Sequence, residues 1–305
     1  MNQKSFVALL LFAIISLASL SALATTPNIL VTLKPLHALV SGLTHGINQP
    51  TLLMAGLQSP HEYQLKPSEL RLLQSADIII YAGDQIESFI PSMKITGNKQ
   101  LVALDALPGM PLLPARGSRT SHTADHTADH DGHIWLSPVN ARVIVQQLAE
   151  ILANHDAVHR AQYFDNRDRM LLKLDALQKQ ILQQLQPVQT QPFLQFHDAL
   201  QYFERDFSLS RSIVVTSGTE HSPGARHIRL LQQRVRDEKI RCFVYEPPHA
   251  PKLLQTLDVN HNANMQPLEI HGSDLLSGEE LYFTLLVSIA SKLQTCLQPD
   301  KDQKR

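Results

Sequence analysis

The feature that most restricts the fold is a stretch from about Asp156 to Gln186 that contains neither proline nor glycine. Within it Met170, Leu174, Leu177, Ile181 and Leu185 recur at steps of three or four, the period of one apolar helix face. Asp156 offers a side chain suited to an N-cap and Pro187 enforces a stop. At 1.5 Å per residue such a helix runs about 45 Å. Its Gln-rich pattern is short for a coiled coil and suits a rigid spine between two lobes, one that limits hinge motion.

The flanks of this spine resemble each other in layout. Before it, short β-branched and apolar runs fall at Ile29–Leu33, Thr51–Ala55, Ile78–Ala82 and Leu101–Leu104; after it, at Phe193–Phe196, Ser212–Thr216, Cys242–Tyr245 and Pro267–Ile270. Amphipathic stretches such as Pro67–Ser75, Pro138–Ala153 and His227–Glu238 lie between the runs. Strands alternating with helices predict an α/β fold: two Rossmann-like lobes with mainly parallel four-stranded sheets, joined by the long helix. The expected division is an N-terminal lobe over 25–155, the linker helix over 156–186 and a C-terminal lobe over 187–305.

The first residues read as a signal for export. Lys4 precedes an almost unbroken apolar run, Phe6–Leu20, which closes on the small-x-small pattern Ala22-Leu23-Ala24, so cleavage after Ala24 is expected. The run is shorter than the roughly 20 residues that span a bilayer, and no cysteine lies nearby for lipid attachment. No other stretch is long and apolar enough to span, so no stable membrane insertion is expected after cleavage. Net charge is −1 and no basic stripe appears, which argues against a nucleic-acid partner. The only two cysteines are Cys242 and Cys296. In an oxidising compartment an isolated pair reads as one structural disulfide, contributing roughly 3–4 kcal/mol by loop entropy. A cysteine-containing metal site is the competing reading, disfavoured by the wide separation and the lack of Cys-x-x-Cys.

Histidine is over-used: 15 residues, more than half the number of lysines and arginines together. Imidazole is the commonest protein ligand for zinc and serves copper, nickel and iron. Residues 115–132 are low in complexity and repeat Thr-Ala-Asp-His at Thr123–His126 and Thr127–His130, with His122 just before. Such a segment has little to bury and is expected to form a flexible loop in which His122, His126 and His130 collect metal weakly; a solvated loop without a role is the plainer reading. Elsewhere, potential ligands stand where strands end: His61 after Thr51–Ala55, His197 after Phe193–Phe196, Glu269 in the last run, and His133 where order resumes after the loop. In open α/β sheets ligands bind beyond the carboxyl ends of strands, so two facing lobes bring these residues together. Taken singly, a histidine at a strand end is more often hydrogen-bonded filler than a ligand. His37 is a further candidate ligand, with packing before a helical Ala-Leu-Val as the plainer reading, and Glu246 is a second strand-end carboxylate suited to orient a ligand.

The combination is more specific than its parts. His61 to Ser68 resembles the PH-x-Y-x-L-x-PS segment of the cluster A-I metal solute-binding proteins, and His133 to Pro138 resembles their H-x-WLSP. Phe196-His197-Asp198-Ala199 through Tyr202-Phe203 is similar to the FHDA-x-x-YF of the zinc members, and Tyr245-Glu246-Pro247 to their EP strand end. Cys242 and Cys296 fall where zinc-specific members carry a disulfide. The resemblance, to the ZnuA type, covers nearly the whole chain beyond residue 24. It implies a monomeric periplasmic protein, not an enzyme, that holds Zn2+ in an interlobe cleft and delivers it to an inner-membrane ABC permease and its ATPase. His61, His133, His197 and Glu269 are the implied metal ligands. Two positions depart from the family: Pro60 stands where zinc members often carry an acid, and LDPLG appears as Leu268-Glu269-Ile270-His271-Gly272. The fourth ligand is therefore Glu269, a water or a loop histidine.

A histidine rather than a carboxylate at position 197 favours zinc over manganese or iron. A manganese or iron importer component and a metal-dependent adhesin are the alternatives within the fold. A secreted zinc hydrolase with Glu269 or Glu246 as base lacks support from any His-Glu-x-x-His or His-x-His-x-Asp cluster. Each ligand imidazole must be neutral to bind, so up to three protons are expected to compete with the metal as pH falls.

Overall fold

The computed structural model describes residues 26–56, 58–93, 97–116, 130–216, 223–247 and 251–298. The expected export signal, His122 and His126 lie outside them. In the first half, β1 (Ile29–Leu33) leads into α1 (Lys34–Leu43), followed by β2 (Thr51–Met54), α2 (Pro67–Ser75), β3 (Ile78–Tyr81), the short α3 (Phe89–Ser92) and β4 (Gln100–Ala103). Then come α4 (Pro138–His155) and the long α5 (Arg160–Leu185). The second half runs β5 (Phe193–His197), α6 (Gln201–Asp206), β6 (Ile213–Thr216), α7 (Ala225–Asp237), β7 (Cys242–Tyr245), α8 (Pro251–Leu257), β8 (Asn264–Pro267) and α9 (Leu281–Leu297).

The strands form two four-stranded sheets, ordered β2-β1-β3-β4 and β6-β5-β7-β8, with every pair parallel. Parallel pairing requires a crossover between strands, and the helices that make it cover the sheet faces, so central strands are mostly apolar. All five residues of β1 are buried, and the one hydroxyl among them, Thr32 Oγ1, donates to Glu87 Oε1 at 2.5 Å. Burial raises the Glu87 carboxyl to about pKa 7 against hydrogen bonds from Thr32, Ala82 and Gly83 that oppose the shift.

The long helix is present, but Asp156 does not cap it directly. A 3-10 turn at Ala157–His159 intervenes, and the Asp156 carboxylate binds His159 Nδ1 at 2.7 Å instead. Met170, Leu174, Leu177, Ile181 and Leu185 are buried, as their spacing predicts. Helix α5 packs on α1, α4 and α9, so the last helix of the chain rests on elements of the first half. One apolar cluster consequently runs from Ile29 through Leu174 to Leu297, while a smaller one around Leu194, Phe243 and Leu254 fills the other face of the second sheet. Cys242 on β7 and Cys296 on α9 form a disulfide that ties this helix to the second sheet.

The eighth strand departs from expectation. It occupies Asn264–Pro267 rather than Pro267–Ile270, pairing Cys242 with Asn264 and Tyr245 with Pro267. At a sheet edge a strand needs no continuous apolar run, and this one is largely polar. The apolar Leu268 and Ile270 are buried just past it, where the chain crosses toward the first half.

Candidate metal centre

The ends of strands from both sheets converge on one cleft. His61 lies in the 3-10 turn Pro60–Glu62 beyond β2, opened by Pro60, whose fixed φ suits the first position of a turn. His133 immediately precedes the 3-10 turn Ile134–Leu136, and His197 is the last residue of β5. These three histidines each present a ring nitrogen, and the three atoms all lie within 4.8 Å of one another. His61 Nε2 and His133 Nε2 stand 3.4 Å apart, and the His133 and His197 ring centroids 4.8 Å. This is the only group of three or more such residues among the described ones.

Two of the rings are held by carboxylates. His133 Nδ1 lies 2.7 Å from Asp131 Oδ1, which also accepts the His133 backbone N–H at 2.9 Å. His197 Nδ1 lies 2.8 Å from Glu246 Oε1. A carboxylate on Nδ1 fixes ring orientation and tautomer and leaves Nε2 to a ligand. Asp131 is positioned in turn: Tyr202 Oη, from the second half, donates to its carbonyl at 2.7 Å. Gly132 between the two is packed so closely on Ile86 that an added Cβ would sit 2.6 Å from Ile86 Cγ1. The Asp131 Oδ2 atom is buried without a hydrogen-bond partner among the described residues, and burial pushes the carboxyl up to about pKa 6.

The electrostatics are uneven across the cluster. Burial first, then the neighbouring His133 and His197, lowers His61 to about pKa 3. Burial and His197 hold His133 well below the ordinary value. At His197 burial acts in the same direction, yet the hydrogen bond and charge of Glu246 outweigh it and raise its affinity for a proton. Glu246 is correspondingly lowered to about pKa 2, its burial overcome by His197. The cluster therefore holds two rings kept neutral, each with a lone pair for a soft or borderline cation, and a third, His197, that gives up a proton before it can bind one.

The other residues singled out by sequence lie elsewhere. Glu269 does not join the group: Oε1 accepts the His271 backbone N–H at 2.6 Å and Oε2 accepts the Ser273 hydroxyl. Its neighbour His271 faces Trp135, with ring centroids 5.7 Å apart. His37 Nε2 binds the Pro50 carbonyl at 3.0 Å, as a packed histidine does. His130 Nε2 lies 3.0 Å from Asp105 Oδ2, at the root of the low-complexity tract. At the other root, Arg116 forms ion pairs with buried Asp198 and Glu204, immediately behind His197. Sequence reasoning missed Asp131 because it sits in a stretch that reads as disordered; an acid two residues before a candidate ligand was the available signal.

Comparison with known proteins agrees with this arrangement. The model of the family described as "Zinc-uptake complex component A periplasmic" matches residues 29–296. A relative named high-affinity zinc uptake system protein ZnuA, from Brucella abortus, is 32% identical, covering 88% of this chain and 91% of its own. Among solved structures, a crystal structure of ZnuA superposes with a TM-score of 0.77 at 23% identity, covering 90% of this chain and 100% of that one. The laminin-binding protein of Streptococcus agalactiae, titled a bifunctional protein with adhesin and metal transporting activity, gives 0.76 at 17% identity, covering 90% and 100%. At these identities the two structures speak to the fold, and the sequence matches carry the kinship: the chain belongs to the periplasmic zinc-uptake component A family.

Proposed function

We propose that the protein captures Zn2+ outside the cytoplasm through His61, His133 and His197 and hands it to an inner-membrane ABC permease driven by its ATPase. The observation that carries this reading is the convergence of three histidine nitrogens within 4.8 Å, two of them on rings backed by carboxylates. Zinc accepts tetrahedral nitrogen coordination without a geometric preference of its own, whereas manganese and magnesium favour oxygen. The family membership and the zinc-uptake names of its relatives support the same cargo. The protein acts as a monomeric carrier after its leader is cleaved behind Ala24, with lobes over 25–155 and 187–305 on either side of the 156–186 spine. No described helix is long and apolar enough to cross a membrane.

A carrier rather than a hydrolase fits the carboxylates. Glu246 is engaged by His197 and Glu269 by its own loop, so both are occupied in holding structure. The deciding experiment is elemental analysis of protein purified without added metal, followed by competitive titration of the stripped protein. One tight zinc equivalent, with manganese bound far more weakly, is expected. Preferential manganese binding, or hydrolysis of ester or phosphoester substrates by the zinc form, would overturn the reading.

A further inference from the structure

Three histidines leave a tetrahedral ion one position short. The structure holds a fourth imidazole at the cleft that the three-membered cluster does not include. His271 follows β8, lies against Trp135, and keeps 23% of its side chain exposed. His133 lies against the same indole, with centroids 5.3 Å apart, so the two imidazoles share Trp135 as a neighbour. Glu269, by contrast, has both oxygens committed within its own loop.

Carboxylate pairing repeats at this fourth ring. His133 has Asp131 on Nδ1, His197 has Glu246 on Nδ1, and His271 Nδ1 lies 3.7 Å from Glu269 Oε1, a looser version of the same arrangement. The loop is also clamped from the first half on both sides of His271. Trp135 Nε1 donates to the Ile270 carbonyl at 3.0 Å, and the buried Lys34 Nζ donates to the carbonyls of Gly272, Ser273 and Leu275 at 3.1, 3.3 and 2.8 Å. A backbone fixed on either side leaves the side-chain torsions of His271 as the only adjustment needed to turn its ring toward the ion.

From this juxtaposition we infer that His271 supplies the fourth ligand to zinc, and that Glu269 orients the His271 ring instead of binding the ion. The inference rests on the zinc reading above and refines it. A fourth imidazole makes the site all-nitrogen, further from the oxygen-rich surroundings that manganese favours.

X-ray absorption fine structure at the zinc edge, on purified protein loaded with one equivalent, counts the imidazoles directly. Four are expected in the unaltered chain and three in His271→Ala, whose affinity falls further than that of Glu269→Gln. The latter, as loss of an orienting partner, is expected to weaken binding about tenfold to a hundredfold while retaining four imidazoles. Three imidazoles in the unaltered protein, with a count that His271→Ala does not change, would overturn the inference and leave the zinc reading standing. Fewer than three would remove the histidine cluster itself. The unaltered protein suffices for the count, so a variant that fails to fold does not blunt the test.

Discussion

The indole N–H of Trp135, in the first half of the chain, donates to the carbonyl of Ile270, in the second, at 3.0 Å. Both residues are buried, so neither group has water as an alternative partner. Trp135→Phe keeps an aromatic ring but leaves that carbonyl without its donor. We expect unfolding free energy to drop by about 1–3 kcal/mol, measured by denaturant titration. A variant as stable as the parent would show that the bond across the cleft contributes nothing in solution.

The carboxylates behind the cluster are expected to matter for affinity, though less than the rings they hold. Asp131→Asn and Glu246→Gln keep side-chain shape while removing the charge that fixes His133 and His197. Each should weaken zinc binding about tenfold to a hundredfold in a competitive titration. His61→Ala, His133→Ala and His197→Ala should each cost considerably more, since each deletes a donor atom. Parental affinity in any of these three would remove that residue from the site.

Proton competition distinguishes the folded site from three free histidines. His61 is lowered to about pKa 3, so its ring is neutral across pH 5.5–7.5, and burial holds His133 well below its ordinary value. His197 is raised, so among the three rings it is the one carrying a proton that zinc must displace as pH falls below its pKa. Affinity should then decline about tenfold per pH unit at the acidic end and level off above that pKa. The expectation from sequence, up to three competing protons, gives a much steeper fall. Calorimetry in buffers of different ionisation heat counts the protons released; a count near three would show that the folded cluster does not suppress them. Glu246→Gln should shift the decline to lower pH, because the anion that raises His197 is gone.

Deletion of the low-complexity tract tests whether it takes part in the tight site. Deleting residues 117–129 takes out His122 and His126 and spares the His130–Asp105 pair and Asp131, the partner of His133. One tight zinc equivalent should remain and weaker equivalents should disappear on titration. Loss of the tight equivalent would place a primary ligand inside the tract.

Much of this architecture was legible in the chain because periodicity reports burial. The spine and seven of the strand runs follow from where apolar residues recur. β8 escaped since an edge strand built from Asn264, Met265 and Gln266 carries no apolar run, while buried Leu268 and Ile270 beside it do. At the candidate site, His61 and His197 stand out beyond strand runs and His133 where order resumes after the low-complexity tract. The roles of Asp131 and His271 did not, because orientation by a carboxylate and a shared indole neighbour are relations in space with no sequence period.

Helix α9, the last described element, packs on α1, the first described helix. An N-terminal half made alone would therefore leave a face of α1 and α5 uncovered until residues near 297 arrive. Contacts of that sequence separation are slow to form, because the intervening chain must first be closed into a loop. Residue order thus opposes a half-by-half folding route: the first sheet can be drafted early, but its core is sealed only by the final helix. The core of the first half stays open until α9 is in place, and loss of α9 would be felt as far away as α1.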